Sequence, residues 1–225
     1  MIDKRVESAE AAIEGIGDGA TIMISGFQSS GTPNALLEAL LAKRLGGLTL
    51  VVNGVGHHGT RVARLFEEGC VAKVICSSAR AGAGRPGPFE EQWRRGEVTL
   101  ELVPQGTLAE RIRAGAAGIA GFYTPVAVGT KLAEGKEVRS FDGKDYVLER
   151  ALTADLSILR ADRADRWGNL VYHGGQRNFG TVMAMAGRIT AVEVNEIATV
   201  PLDPEHVVTP GIFVQRVVAL PDLRR

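Results

Sequence analysis

Short apolar runs alternate with stretches of helical period through the first half of the chain. TIMIS (21–25), LTLVVN (48–53), KVICSS (73–78) and VTLELV (98–103) read as strands. Between them, residues 34–44 and 60–68 place leucine, alanine and phenylalanine three and four positions apart, which lines them up on one face of a helix. Runs rich in Val, Ile and Leu on both faces suit parallel strands with helices on either side. The pattern therefore predicts a βαβ series, an open and mainly parallel α/β sheet covered by helices on both faces.

After Gly118 the period changes. VRSFDGKDYVLE (138–149) is two alternating runs around Asp142-Gly143, a dipeptide that supplies the positive φ angles of a tight hairpin turn, so an antiparallel hairpin is expected there. LSILRA (156–161), LVY (170–172) and ITAVEVNE (189–196) read as further strands, with a short helix near 181–186 and a last apolar run, IFVQRVVAL (212–220). Neither an internal repeat nor a disordered linker interrupts the chain.

One strand–turn–helix unit invites a dinucleotide reading. LTLVVNGVGHHGTRVARLFEEG (48–69) carries Gly54, Gly56 and Gly59 in G-x-G-x-x-G spacing, where a helix start could receive a pyrophosphate. Such a site also needs an acidic residue about 20 positions further on for the ribose hydroxyls. From Gly69 through Phe89 there is no Asp or Glu at all. The same spacing recurs at Gly82, Gly84 and Gly87, where Pro86 and Pro88 suit a loop rather than a helix start. A Rossmann-type dehydrogenase is thus the weaker reading, and a tight turn at a strand's carboxyl end the better one. Such a turn can still line a pocket.

Other candidates reduce in the same way. His57 and His58 are adjacent, so they point apart, and read as exposed loop residues rather than metal ligands. Glu193 and Glu196 fall on opposite faces of a strand, which favours capping or rim carboxylates over an acid–base pair. Cys70 and Cys76 lack C-x-x-C spacing and read as buried thiols.

Composition sets the outer limits. The 225 residues are 45% hydrophobic and 23% charged with 28 glycines, enough for a sizeable core. Lys plus Arg and Asp plus Glu both number 26, and no basic stripe with aromatics points to nucleic acid. The first residues lack the order of a signal peptide and no apolar run approaches a membrane span, so the cytoplasm is the expected location, with neither a membrane nor a nucleic acid as partner.

The most informative stretch is DGATIMISGFQSSGTP (18–33), a strand followed by Gly26, Phe27, Gly31 and Pro33. It resembles the signature of the A subunits of two-subunit family I CoA transferases, with Ser25 in place of the first glycine of a pair. PQGTLAERIRAGAAGIAGFYTP (104–125), RWGNLVY (166–172), RNFG (177–180) and DPEHVVTPGIFVQRVV (203–218) resemble further blocks in the family's order, closest to its succinyl-CoA:3-oxoacid and 3-oxoadipate branch.

The resemblance implies one A-subunit domain over residues 1–225. It also implies CoA as a cosubstrate with no permanently bound cofactor, and a partner B subunit in a heterodimer or heterotetramer. The family's nucleophilic glutamate lies on that partner in a Ser-Glu-Asn-Gly block, and this sequence contains no such tetrapeptide.

By the same resemblance, Gln105 lies beside the reacting centre and Asn53 orients the substrate carboxylate. The loop Ser25, Gly26, Phe27, Gln28, Ser29, Ser30 and Gly31 contacts CoA. Residues 54–60, 77–93, 125–130 and 172–179 depart from the family pattern, in stretches expected to form the pocket. A non-catalytic binding or assembly subunit on the same scaffold is the alternative.

Overall fold

A computed structural model describes residues 2–80 and 85–220. Gly82 and Gly84 of the second glycine triplet lie outside the described residues. After a short helix α1 (Ala9–Ala12), strands β1 (Thr21–Ile24), β2 (Leu48–Gly54), β3 (Val71–Ser78) and β4 (Thr99–Leu102) alternate with helices α2 (Asn34–Ala42), α3 (Arg61–Glu67) and α4 (Pro88–Arg94). Helix α5 (Gln105–Ala116) leads into β5 (Gly121–Thr124), β6 (Val138–Phe141) and β7 (Lys144–Arg150). The chain then forms β8 (Ala154–Ala164), β9 (Leu170–Val171), α6 (Gly180–Ala186), β10 (Gly187–Ile197) and β11 (Arg216–Ala219).

The main sheet has the order β11-β10-β8-β1-β2-β3-β4, all parallel, with β9 antiparallel on β8. β1 pairs with β2 on one side and β8 on the other. The chain thus builds outward in one direction first and in the opposite direction later, which places a topological switch point at β1 and β8. Ligands of open α/β sheets bind beyond the carboxyl ends of the strands at such a point.

Consecutive strand residues go to opposite cores. Ile22, Ile24, Leu50, Val52, Val74 and Cys76 pack with Ala12, Leu36, Leu40, Phe66 and Phe89 from α1–α4. Met23, Val51 and Ile75 pack with Leu108, Ile112, Met183 and Ala184 from α5 and α6. Burial on both faces is why these strands read as unbroken apolar runs.

A separate three-stranded sheet, β5-β7-β6, contains the expected hairpin, with Asp142 at φ 50° and Gly143 at φ 74°. Both turn residues hold the positive φ that the Asp-Gly dipeptide foretold.

One expectation needs correction. Pro88 does not belong to a loop but is the first residue of α4, where its missing N–H costs nothing, and Glu90 accepts from the Gly87 N–H at 2.9 Å. Phe89 then anchors the helix edge-on against Phe66, their ring centroids 5.4 Å apart. Helix α5 begins at Gln105, because Pro104 supplies the carbonyl that accepts from Leu108 N at 2.8 Å. The last apolar run divides into a 3₁₀ turn, Gly211–Phe213, and β11. Among the described residues no helix is long and apolar enough to cross a membrane.

Candidate active site

The loop that follows β1 leaves the sheet at the switch point. Ser25 is buried; its hydroxyl donates to Gly31 O at 2.8 Å and accepts from Arg160 N at 3.3 Å, closing the base of the loop. Phe27 and Ser30 exchange backbone hydrogen bonds of 3.0 and 3.1 Å, so Gln28 and Ser29 form an exposed tip, with Gln28 at φ 55°. Gly26 requires glycine, because its φ is 127° and a Cβ would stand 2.7 Å from Thr32 Oγ1.

Asn178 fixes the loop from outside. Its Oδ1 accepts from Gly26 N at 3.2 Å, and its Nδ2 donates to Ser30 O at 3.0 Å and Gly175 O at 2.6 Å.

Beside this loop, β2 and α5 bring the two expected site amides together. Asn53 Oδ1 accepts from Gln105 Nε2 at 2.7 Å and from Ser77 Oγ at 2.8 Å. Asn53 is buried at the end of β2, and Gln105 is exposed at the first turn of α5, where its side chain makes no capping hydrogen bond. The Asn53 Nδ2 group has no partner among the described residues.

A cleft of about 680 Å³ opens along these groups. Ser25, Gly26, Gln28, Ser29 and Asn53 line it, together with Gly54, Gly56 and Gly59 of the glycine turn. Gly56 and Gly59 have φ of 75° and 84°, and a Cβ on Gly56 would stand against Thr60 Oγ1, the cap of α3. The turn is therefore shaped by its own helix cap, and its glycines face the cleft. Ser30 and Gly31 line a neighbouring cavity of about 510 Å³, while Phe27 and Gln105 line neither, Gln105 reaching the cleft through Asn53.

Residues 6–220 match the family described as Coenzyme A transferase. The chain belongs to that family. This CoA-transferase chain is 48% identical over 221 residues to the A subunit of 3-oxoadipate CoA-transferase from Pseudomonas putida, covering 98% of the chain and 95% of the relative. It is 46% identical over 225 residues to the A subunit of succinyl-CoA:3-ketoacid coenzyme A transferase from Xanthomonas campestris pv. campestris B100, covering 98% and 91%. Its fold matches glutaconate coenzyme A-transferase from Acidaminococcus fermentans with a TM-score of 0.82 at 21% identity, over 97% of the chain and 76% of that structure.

One carboxylate of the CoA-transferase chain, Glu193 on β10, is already occupied. Glu193 is fully buried; its Oε2 accepts from Ala35 N at 2.8 Å and Leu36 N at 3.1 Å, and its Oε1 meets Arg160 Nη1 at 3.0 Å. Burial pushes its carboxyl upward against the pull of those N–H groups and of Arg160. Glu193 thus caps the start of α2, while Glu196 is exposed and lines neither cavity.

His57 and His58 are both exposed, as expected. Cys70 and Cys76 are buried free thiols, and burial pushes Cys76 up to about 12. Three groups at the site escape sequence reasoning: Ser77, Asn178 and Arg61, which lines both cavities. RNFG marked Asn178 only as part of a family block, and nothing local to Ser77 announces its bond to Asn53.

Proposed function

We propose that this chain is the A subunit of a two-subunit CoA transferase that moves CoA between an acyl-CoA, such as succinyl-CoA, and a 3-oxo acid. The whole of residues 1–225 acts as one domain, CoA is a cosubstrate, and a partner B subunit supplies the nucleophile. What carries the reading is the Gln105–Asn53 amide pair beside a cleft at the switch point, in a chain 48% identical over 98% of its length to the A subunit of a 3-oxoadipate CoA-transferase.

The chemistry divides between the two chains. The partner's glutamate attacks the thioester carbonyl, the C–S bond breaks, and CoA thiolate leaves a mixed anhydride. The thiolate then attacks the glutamyl carbonyl, releasing the first acid and leaving a glutamyl-CoA thioester. The second acid repeats the sequence in reverse, in ping-pong order.

This chain supplies positioning and charge stabilisation. With one N–H of its amide held by Asn53, Gln105 offers the other to the oxygen that gains charge in each tetrahedral intermediate. Residues 25–31 hold CoA, their glycine-bounded backbone letting the thioester approach closely.

The test is co-expression with a partner chain that carries the Ser-Glu-Asn-Gly glutamate. The complex transfers CoA from succinyl-CoA to a 3-oxo acid and accumulates CoA covalently on the partner, whereas the chain alone transfers none. Transfer by the isolated chain would overturn this division of roles.

A further inference from the structure

The amide pair rests on a third group, set back from the cleft. Met23, Val51 and Ile75 face the core shared with α5, and side chains alternate between the faces of a strand. Two positions further on, Asn53 and Ser77 stand on that same face. Val52 pairs with Cys76 and Gly54 with Ser78, so Asn53 and Ser77 are neighbours across β2 and β3. The hydroxyl of the half-buried Ser77 donates to Asn53 Oδ1 at 2.8 Å and lies 3.0 Å from the Asn53 backbone oxygen. Ser77 lines neither cavity, so it reaches the cleft only through Asn53.

This bond decides which end of the Asn53 amide meets a ligand. The carbonyl and amino ends are nearly equal in size, so packing does not tell them apart and hydrogen bonds do. An amide oxygen has two lone pairs, and Ser77 at 2.8 Å and Gln105 at 2.7 Å supply a donor for each. Oδ1 is thereby held inward. The Nδ2 end, without a partner among the described residues, is left for the cleft that Asn53 lines. A carboxylate only accepts hydrogen bonds, so an N–H end facing it attracts and a carbonyl end repels. Gln105 is exposed at the first turn of a helix, whereas Ser77 is fixed within β3, which makes the serine the firmer of the two holders.

We infer that Ser77 is a positioning residue, whose hydroxyl sets the Asn53 amide with its N–H groups toward the reacting carboxylate. This rests on the transferase reading above, in which the acid meets the Asn53–Gln105 pair. Small misplacements of a reacting group are costly, so a serine that touches no substrate still governs how productively the acid is held.

The experiment compares the assembled two-subunit complex as wild type, Ser77→Ala, Ser77→Cys and Ser77→Thr. Calorimetry reads the binding of succinate and of free CoA, and steady-state transfer from succinyl-CoA reads kcat and KM for the acceptor acid. Ser77→Ala weakens succinate, and lowers kcat/KM for the acceptor, by about tenfold, the size of one hydrogen bond, while free CoA binds as before. Ser77→Cys, close in shape but a weak donor, falls with alanine, and Ser77→Thr, which keeps a hydroxyl, stays within about threefold of wild type. Wild-type succinate binding in Ser77→Ala, or a threonine variant no better than alanine, would overturn the inference. So would full recovery in Ser77→Cys, which assigns the position to packing, or equal weakening of succinate and CoA, which reports a disturbed cleft. A complex that transfers no CoA but whose succinate binding follows the hydroxyl would sink the transferase reading and leave the role of Ser77 standing; transfer with succinate binding indifferent to Ser77 does the reverse.

Discussion

A single amide at the start of α5 connects fold to chemistry. Gln105 keeps one N–H on Asn53 and has one to give, so Gln105→Ala in the assembled complex is expected to lower kcat by roughly 10²–10³, the loss typical of one oxyanion donor. Its melting temperature changes little, because Gln105 is exposed and caps nothing. Kinetics and melting on one preparation check both halves.

Glu101 on β4 gives a pH signature instead. Burial raises its carboxyl, but Lys73 at 2.7 Å and Arg111 at 2.6 Å outweigh that and hold it below 4.5. The stabilisation is therefore present above the ordinary glutamate range and disappears as pH falls through the lowered value. Glu101→Gln should cost about 1 kcal/mol at pH 7, or about 2–4 °C, and the gap to wild type should close under acid. Melting curves over a pH series test it.

Gln105 and Asn53 could be picked out as candidates because each stands at or just beyond the carboxyl end of a readable strand. Ser77 and Asn178 could not. Asn178 meets Gly26 across 152 positions of sequence, and only the finished sheet sets that distance.

At the scale of elements, the loop between β1 and α2 has a hard frame and a soft tip. Its frame is Ser25, Gly26 and Asn178; its tip, Gln28 and Ser29, is exposed. Asn178→Ala removes the bonds to Gly26 N and Ser30 O while leaving the sheet intact. The expected result is a several-fold rise in KM for the acyl-CoA, with binding of a free acid less affected. Equal effects on both substrates would place the loop away from CoA. Strands that run through two cores announced themselves by unbroken apolar runs, and the hairpin by Asp142-Gly143. Helix α4 did not, since glycine and proline in front of it signal a loop and a helix start alike, and α1 has only four residues, too few to show a period.

At the scale of the whole molecule, the parallel α/β class was readable from the alternation of elements, but the strand order was not. β1 and β8 are similar apolar runs, and nothing in either names the other as its neighbour. That order has a consequence for the nascent chain. β1 is central in the finished sheet, yet its second partner begins at Ala154, so one edge of Thr21–Ile24 stays bare until two-thirds of the protein has been made. An open, apolar strand edge is a template for pairing with another molecule. A fragment ending at residue 120 should accordingly self-associate in light scattering where the full chain does not, and a fragment of residues 121–225 added during refolding should suppress it. Synthesis of this protein thus passes through an interval in which its most buried strand is its most adhesive surface, and the arrival of β8 ends that interval.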